Sequence, residues 1–197
     1  ESTEEPAALT PVLTADFEGE LTGWNLSDGA SVVETAADNR ALLLNPGSAL
    51  APAEAVYLAD FDITLRLSLA DAASSLEIAF RTSDNDGYVL VVQAEQLALY
   101  RAAAGERTLA ATAPAAVAPG TWHTLALSAR DSVFSVTLDG VETLAFTDDA
   151  PFTSGQIVFT AGGAAASLVD DIAVYDLTPA DLLPAPTPAP ASLTEAN

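Results

Sequence analysis

Hydrophobic and polar positions alternate through the middle of the chain. In "DITLRLSLA" Ile63, Leu65, Leu67 and Leu69 share one side, while Asp62, Thr64, Arg66 and Ser68 share the other. Period two marks a strand with one face buried, because successive side chains leave opposite faces of the pleat. "SLEIAFRTS" repeats the pattern, with Leu76, Ile78 and Phe80 set against Glu77, Ala79 and Arg81. The turn "DNDG" (84–87) follows, then the strands "YVLVVQA" and "LALYR". "GTW" (120–122) opens another strand, "RDS" (130–132) connects it to "VFSVTL", and Asp139-Gly140 joins that run to "VETLAF". Asp-Gly between two alternating runs predicts a two-residue hairpin, since both turn positions need positive φ. "GQIVFTA" and "ASLVDDIAVYDL" complete the series. About ten to thirteen short strands and no amphipathic helix are predicted, which argues for an all-β antiparallel two-sheet sandwich. The expected core is Ile63, Leu65, Leu67, Leu69, Ile78, Phe80, Leu125, Leu127, Phe134, Val136, Leu138, Ile157, Phe159, Ile172 and Val174.

The alternation defines the organisation. Residues 1–11, "ESTEEPAALTP", are an extended acidic N-terminal segment, residues 12–177 carry the strand pattern, and residues 178–197 form a Pro/Ala-rich C-terminal tail. Such a tail suits an extended, polyproline-like ribbon or linker.

Charge narrows the partners. The formal net charge is −22, and all six basic residues are arginine. A chain this acidic repels phosphate backbones, so no nucleic acid is expected as a partner, and cations are the natural small ones. No apolar run is long enough to cross a bilayer, so no membrane insertion is expected. Cys and Met are both absent, which excludes disulfides and thiolate-bound zinc and suits an extracellular or cell-surface location.

Candidate chemistry is sparse. "PGTWHTLALSARDSVFSVTLDG" holds the single histidine, His123, and one of two tryptophans, Trp122. His123 shares a strand face with Leu125, Leu127 and Ala129, has no second histidine for a metal pair, and reads as a histidine at the start of a strand, satisfied by backbone. Trp122 reads as a packing residue. No nucleophile stands in a recognisable motif. Sugar platforms would come from Trp24, Tyr57, Tyr88, Tyr100 or Trp122, most of which sit in alternating runs that core packing explains. Asn25-Leu26-Ser27 matches the N-glycosylation triplet, and "SDNDG" (83–87) reads as a turn before it reads as a calcium loop. Asp170 shares the alternation of Leu168, Ile172 and Val174, so its carboxylate needs a partner.

"ADFEGELTGW", "FRTSDNDGYVLVV", "LALYR", "PGTWHTLALSARDSVFSVTLDG", "GQIVF" and "VDDIAVYDL" follow one another in an order that resembles the concanavalin A-like and laminin G-like jelly-roll superfamily. The resemblance covers about residues 14–177 and implies a jelly roll. It does not imply one function, since lectins, carbohydrate-binding modules, glucanases and adhesins share that fold. Glucanases of this kind carry two or three carboxylates on one strand. The corresponding kind of strand here has only Glu77 on its outer face, expected to pair with Arg66 or Arg81, so the chain is not expected to be an enzyme. Related carbohydrate-binding modules hold a structural calcium where the first and last strands pair. That implies a Ca2+ site at Asp16, Glu18, Asp170 and Asp171, with oxygen ligands suited to the ion.

The expected function is a non-catalytic extracellular structural or adhesive subunit. It would self-associate, into a filament for instance, through its terminal segments, with "ALTPVLTADF" (8–17) and "PAPTPAPASLT" (184–194) docking on neighbouring copies. The alternative is a carbohydrate-binding, lectin-like module of a larger secreted protein, with glycans as partners.

Overall fold

The period-two segments fold as their alternation dictates. The computed structural model describes residues 9–36 and 39–178, and within them there are fifteen strands and no helix. In chain order they are β1 (Leu13–Ala15), β2 (Trp24–Leu26), β3 (Ala30–Ala36), β4 (Asn39–Leu44), β5 (Ala49–Pro52), β6 (Phe61–Leu69), β7 (Ser74–Ser83) and β8 (Asp86–Gln93). They continue as β9 (Gln96–Ala103), β10 (Glu106–Pro114), β11 (His123–Arg130), β12 (Val133–Leu138), β13 (Val141–Thr147), β14 (Gln156–Gly163) and β15 (Ser167–Asp176). Fifteen exceeds the expected count because β1, β2 and β5 have only three or four residues, too few to display a period.

Two sheets pack face to face. One runs β13-β12-β11-β6-β15-β4-β3, with β1 also on β15; the other runs β10-β9-β8-β7-β14-β5-β2. Every strand pairing is antiparallel; β3-β4, β7 to β10 and β11 to β13 pair with their chain neighbours, while the steps from β4 to β5, β5 to β6, β6 to β7, β10 to β11, β13 to β14 and β14 to β15 cross between sheets. All fifteen expected core residues are buried between the sheets. The core is richest in aromatics at one end, where Tyr88 lies 4.6 Å from Phe134 and 5.3 Å from Phe80, centroid to centroid.

The Asp139-Gly140 hairpin forms as expected, with φ of 49° and 79°. It also corrects the reading of His123. Backbone does not satisfy that ring: its Nδ1 lies 2.7 Å from Asp139 Oδ2, while Asp139 Oδ1 accepts from Thr124 N at 2.9 Å. The turn that reverses the chain thus anchors itself on β11. His123 Nε2 is the one buried side-chain polar atom without a partner among the described residues.

Arg81 departs from its strand's alternation. At φ 47° it makes a bulge that turns its side chain inward, and it is 1% exposed. Its guanidinium donates to Ala59 O at 2.8 Å, Asp131 O at 2.6 Å, Phe152 O at 3.0 Å and Asp60 Oδ1 at 3.2 Å. Burial lowers its pKa, with Asp60 opposing. One cation thereby ties three loops at the end of the sandwich.

Part of the expected docking segment 8–17 is already in use. Val12 N donates to Val174 O at 2.7 Å, and β1 pairs with β15 of its own sandwich. Residues 13–15, expected to pair with a neighbouring copy, are therefore occupied within the chain, where pairing carries no entropy cost of association. Residues 1–8 and the "PAPTPAPASLT" segment lie outside the described residues.

Candidate functional site

The seven-stranded sheet turns an unusual face to solvent. Its register sets two rows side by side: Thr160, Glu77, Val91, Ala98 and Thr112 in one, Ala79, Val89, Tyr100 and Leu109 in the next. Val89, Val91 and Ala98 are almost fully buried by one another and by Ala79 and Tyr100, in a cluster separate from the main core. "YVLVV" has no alternation because both of its faces are apolar.

Charge frames this small apolar floor. Arg107 NH1 on β10 donates to Glu77 Oε2 on β7 at 2.9 Å, across the two intervening strands. Neither Arg66 nor Arg81 pairs with Glu77 as expected: Arg66 lies in the other sheet and Arg81 is turned inward. Glu77 can lie flat because residue 162 is glycine; a Cβ there would stand 2.6 Å from Ser75 Oγ and 3.1 Å from Glu77 Oε1.

Next to the floor is a depression of about 270 Å³, lined by Ala79, Val89 and Ala102 on one side, Arg107 on another, and Asp84 and Asn85 of the "DNDG" turn. Gly87 closes that turn at φ 141°, where a Cβ would meet Arg81 O at 2.9 Å. Asp86 Oδ1 accepts from Ala104 N at 2.6 Å, which fastens this turn to the next one. The depression thus combines a small apolar floor, an arginine donor and a rim of amide and carboxylate acceptors, with Tyr100 on the same face.

The other aromatic candidates disperse. Trp24 and Tyr88 are buried; Trp24 donates to Thr14 O at 2.8 Å, and Tyr88 donates to Asp148 Oδ2 at 2.7 Å. Burial and the Asp148 hydrogen bond push the Tyr88 hydroxyl up to about 12. Tyr57 stands exposed in a loop. Trp122 is half-buried, with the Arg66 guanidinium 4.8 Å above its ring. Tyr175, not singled out from the sequence, lies on the outer face of the eight-stranded sheet beside Asp62; its signal was the same alternation, "IAVYD". Asn25 of the glycosylation triplet is exposed on β2, and Ser27 Oγ accepts from Ala49 N at 2.7 Å.

The four residues expected to hold calcium sit where β1 meets β15, but they do not converge. Asp16 Oδ1 accepts from Glu18 N at 3.2 Å, and Glu18 Oε1 accepts from Arg40 N at 2.8 Å. A bulge with Asp171 at φ 49° breaks the alternation of β15, so Leu168 and Asp170 do not share the face of Ile172 and Val174. Asp170 is instead buried on the outer side. Its Oδ2 accepts from Asn39 Nδ2 at 3.4 Å and lies 3.5 Å from Arg66 NH1, which is also 3.2 Å from Asp171 Oδ2. Burial raises the Asp170 pKa, and the Asp171 charge adds to the rise. No group of three metal-ligating side chains forms among the described residues. With a guanidinium between the two aspartates, the side chains present suit an arginine-neutralised pair and do not fit Ca2+.

No protein-family model and no curated protein matches the chain. Solved structures match its fold. The carbohydrate-binding module CBM66 from Bacillus subtilis superposes with a TM-score of 0.64 at 17% identity, covering 79% of this chain and 96% of that one. A Bacillus subtilis protein with a galectin-like fold gives 0.65 at 13% identity, covering 84% and 96%. A Bacteroides ovatus family 16 glycoside hydrolase from a mixed-linkage glucan locus gives 0.63 at 12% identity, covering 83% and 99%. All three are jelly-roll sandwiches, and this chain has the concanavalin A-like jelly-roll fold.

Proposed function

We propose that this chain is a non-catalytic, extracellular carbohydrate-binding module that takes a neutral sugar on the outer face of its seven-stranded sheet. The carrying observation is the depression beside Val89, with its apolar floor, the Arg107–Glu77 pair and the Asp84-Asn85 rim. A sugar ring offers an apolar face and a girdle of hydroxyls, and this lining can meet both. The likeness to a carbohydrate-binding module supports the class of ligand. Glycoside cleavage needs two cooperating carboxylates. The Glu77 row offers Val91, Ala98, Thr112 and Thr160 beside it, and Glu77 itself is held by Arg107, which supports a binding role. Absence of Cys and Met supports the extracellular placement.

Retention on immobilised neutral polysaccharides tests the reading. Arg107→Ala and Tyr100→Ala should each weaken binding at least tenfold without loss of fold. Failure to bind any neutral polysaccharide, or release of reducing ends from one, would overturn it.

Self-association is the second reading. It now rests on β3, whose outer backbone edge has no strand beside it among the described residues. Light scattering across a concentration series tests it: a rising mass that falls on Glu34→Pro, whose N–H points away from β4, supports edge pairing, and a constant monomer mass removes it.

A further inference from the structure

The eight-stranded sheet carries a cavity of its own. It measures about 490 Å³ and is lined by Asp62, Thr64, Ser128, Ser135, Thr137 and Tyr175, with Leu9 at one rim. The register explains the lining. Ser135, Ser128, Asp62 and Tyr175 form one row, and Thr137, Ala126, Thr64 and Ala173 the next, so hydroxyls repeat from strand to strand. Two strand positions further along β6 stands Arg66, over Trp122. From Ser128 back to Trp122 is six residues along one strand direction, roughly 20 Å at strand rise. The face therefore has an aromatic ring near each end and hydroxyls between them.

Its arginines are all engaged by carboxylates, and the exposed Glu142 beside Thr137 leaves the face mildly acidic. Arg130 NH2 lies 2.8 Å from Asp62 Oδ2, and Arg66 serves Asp170 and Asp171. In a chain of net charge −22 this face presents neither a basic patch for a polyanion nor an apolar stripe for a helix. Hydroxyl rows ending in aromatic rings suit a neutral, hydroxyl-rich, elongated molecule. Rings stack on its sugar faces, and Ser and Thr exchange hydrogen bonds with its hydroxyls.

We infer that the groove of the eight-stranded sheet is a second glycan site, which lays a neutral linear oligosaccharide along β11 and β6 between Tyr175 and Trp122. The inference rests on the glycan reading of the molecule but not on the placement of the first site. A module with sites on both outer faces would bridge two polysaccharide chains.

Backbone amide NMR separates the two faces. The protein is titrated with mixed-linkage β-glucan, xylan, mannan and levan oligosaccharides of two and six units. The expected result is shifts at Thr64, Ser128, Ser135 and Thr137 with at least one of the hexasaccharides. Ser128→Arg, which fills the groove, and Tyr175→Ala should each weaken that response at least tenfold while Val89 and Tyr100 respond as before. Trp122→Ala should weaken binding of the hexasaccharide but not of the disaccharide. Tyr175→Ala keeps the test decisive if Ser128→Arg does not fold. Shifts confined to Val89, Val91 and Tyr100 overturn this inference and leave the first site standing. No shift on either face overturns both. A dimer that Ser128→Arg dissociates overturns it in favour of a second copy of the chain.

Discussion

The two outer faces of this sandwich answer the same structural demand with opposite chemistry. Each belongs to a sheet whose inner face supplies the core. On the eight-stranded sheet the outer positions of β6 are Asp62, Thr64 and Arg66, half-buried polar side chains that water reaches, and Ser68, which is buried. On the seven-stranded sheet the outer positions of β8 are Val89 and Val91, which neighbouring strands cover almost completely. Folding requires only one apolar face per sheet, so the second face is free to be shaped for a ligand. One is a small apolar floor under an ion pair, the other a long hydroxyl groove between two rings.

The largest expected effect breaks that contrast directly. Val89→Asp should lower stability by about 3 kcal/mol, because the charge enters an apolar cluster whose neighbouring cation, Arg107, is already held by Glu77, whereas Thr64→Asp should stay within about 1 kcal/mol. Urea midpoints of the two variants decide it, and equal losses would mean that the faces are not different in kind.

A smaller effect distinguishes the carboxylates of the eight-stranded side. The His123 hydrogen bond, then Thr124 N, hold Asp139 below the usual carboxylate range. For a depressed carboxylate the stabilisation is present above the unfolded-state pKa and is lost as pH falls through the folded one. Asp139→Ala should cost about 1 kcal/mol at neutral pH and flatten the acid limb of the stability profile. Asp148 should act in the same direction: burial, its largest influence, pushes it up, but Ala150 N, Tyr88 and Arg101 together hold it below its ordinary value.

Asp170 should act with the opposite sign. Its pKa is raised, so the folded state binds the proton more tightly, and stability falls as pH rises from the unfolded carboxyl value through the folded one. Asp170→Asn should remove that fall and change neutral stability by less than about 1 kcal/mol. Thermal midpoints from pH 3 to 7 measure it; an unchanged slope would refute the assignment.

The smallest expected effect concerns metal. With Arg66 between Asp170 and Asp171, chelator should leave the thermal midpoint unchanged, and a midpoint that rises with added Ca2+ would reverse that conclusion. Arg107→Ala should likewise leave the midpoint nearly untouched, because a half-exposed ion pair contributes little to stability, while it weakens glycan binding.

Most of the architecture was legible in the chain. Alternation in "DITLRLSLA" and "SLEIAFRTS", with Asp139-Gly140 as a hairpin, determined an antiparallel sandwich and its core, because a period of two admits one inward face and a one-residue slip would expose it. The candidate sites were less legible, and for a physical reason in each case. Glu77 meets Arg107 from three strands away in the sheet, which no local spacing announces. Arg81 and Asp171 break their strands' alternation at positive φ, so the faces assigned to Arg81, Leu168 and Asp170 could not be read by parity. Tyr175 joins Asp62, Ser128 and Ser135 only because β15, β6, β11 and β12 lie in that order. The sequence by itself determined which side chains face inward, since burial follows a local period. Only the tertiary structure decided what the outward side chains do together, since that depends on strand order and register, which join residues far apart in the chain.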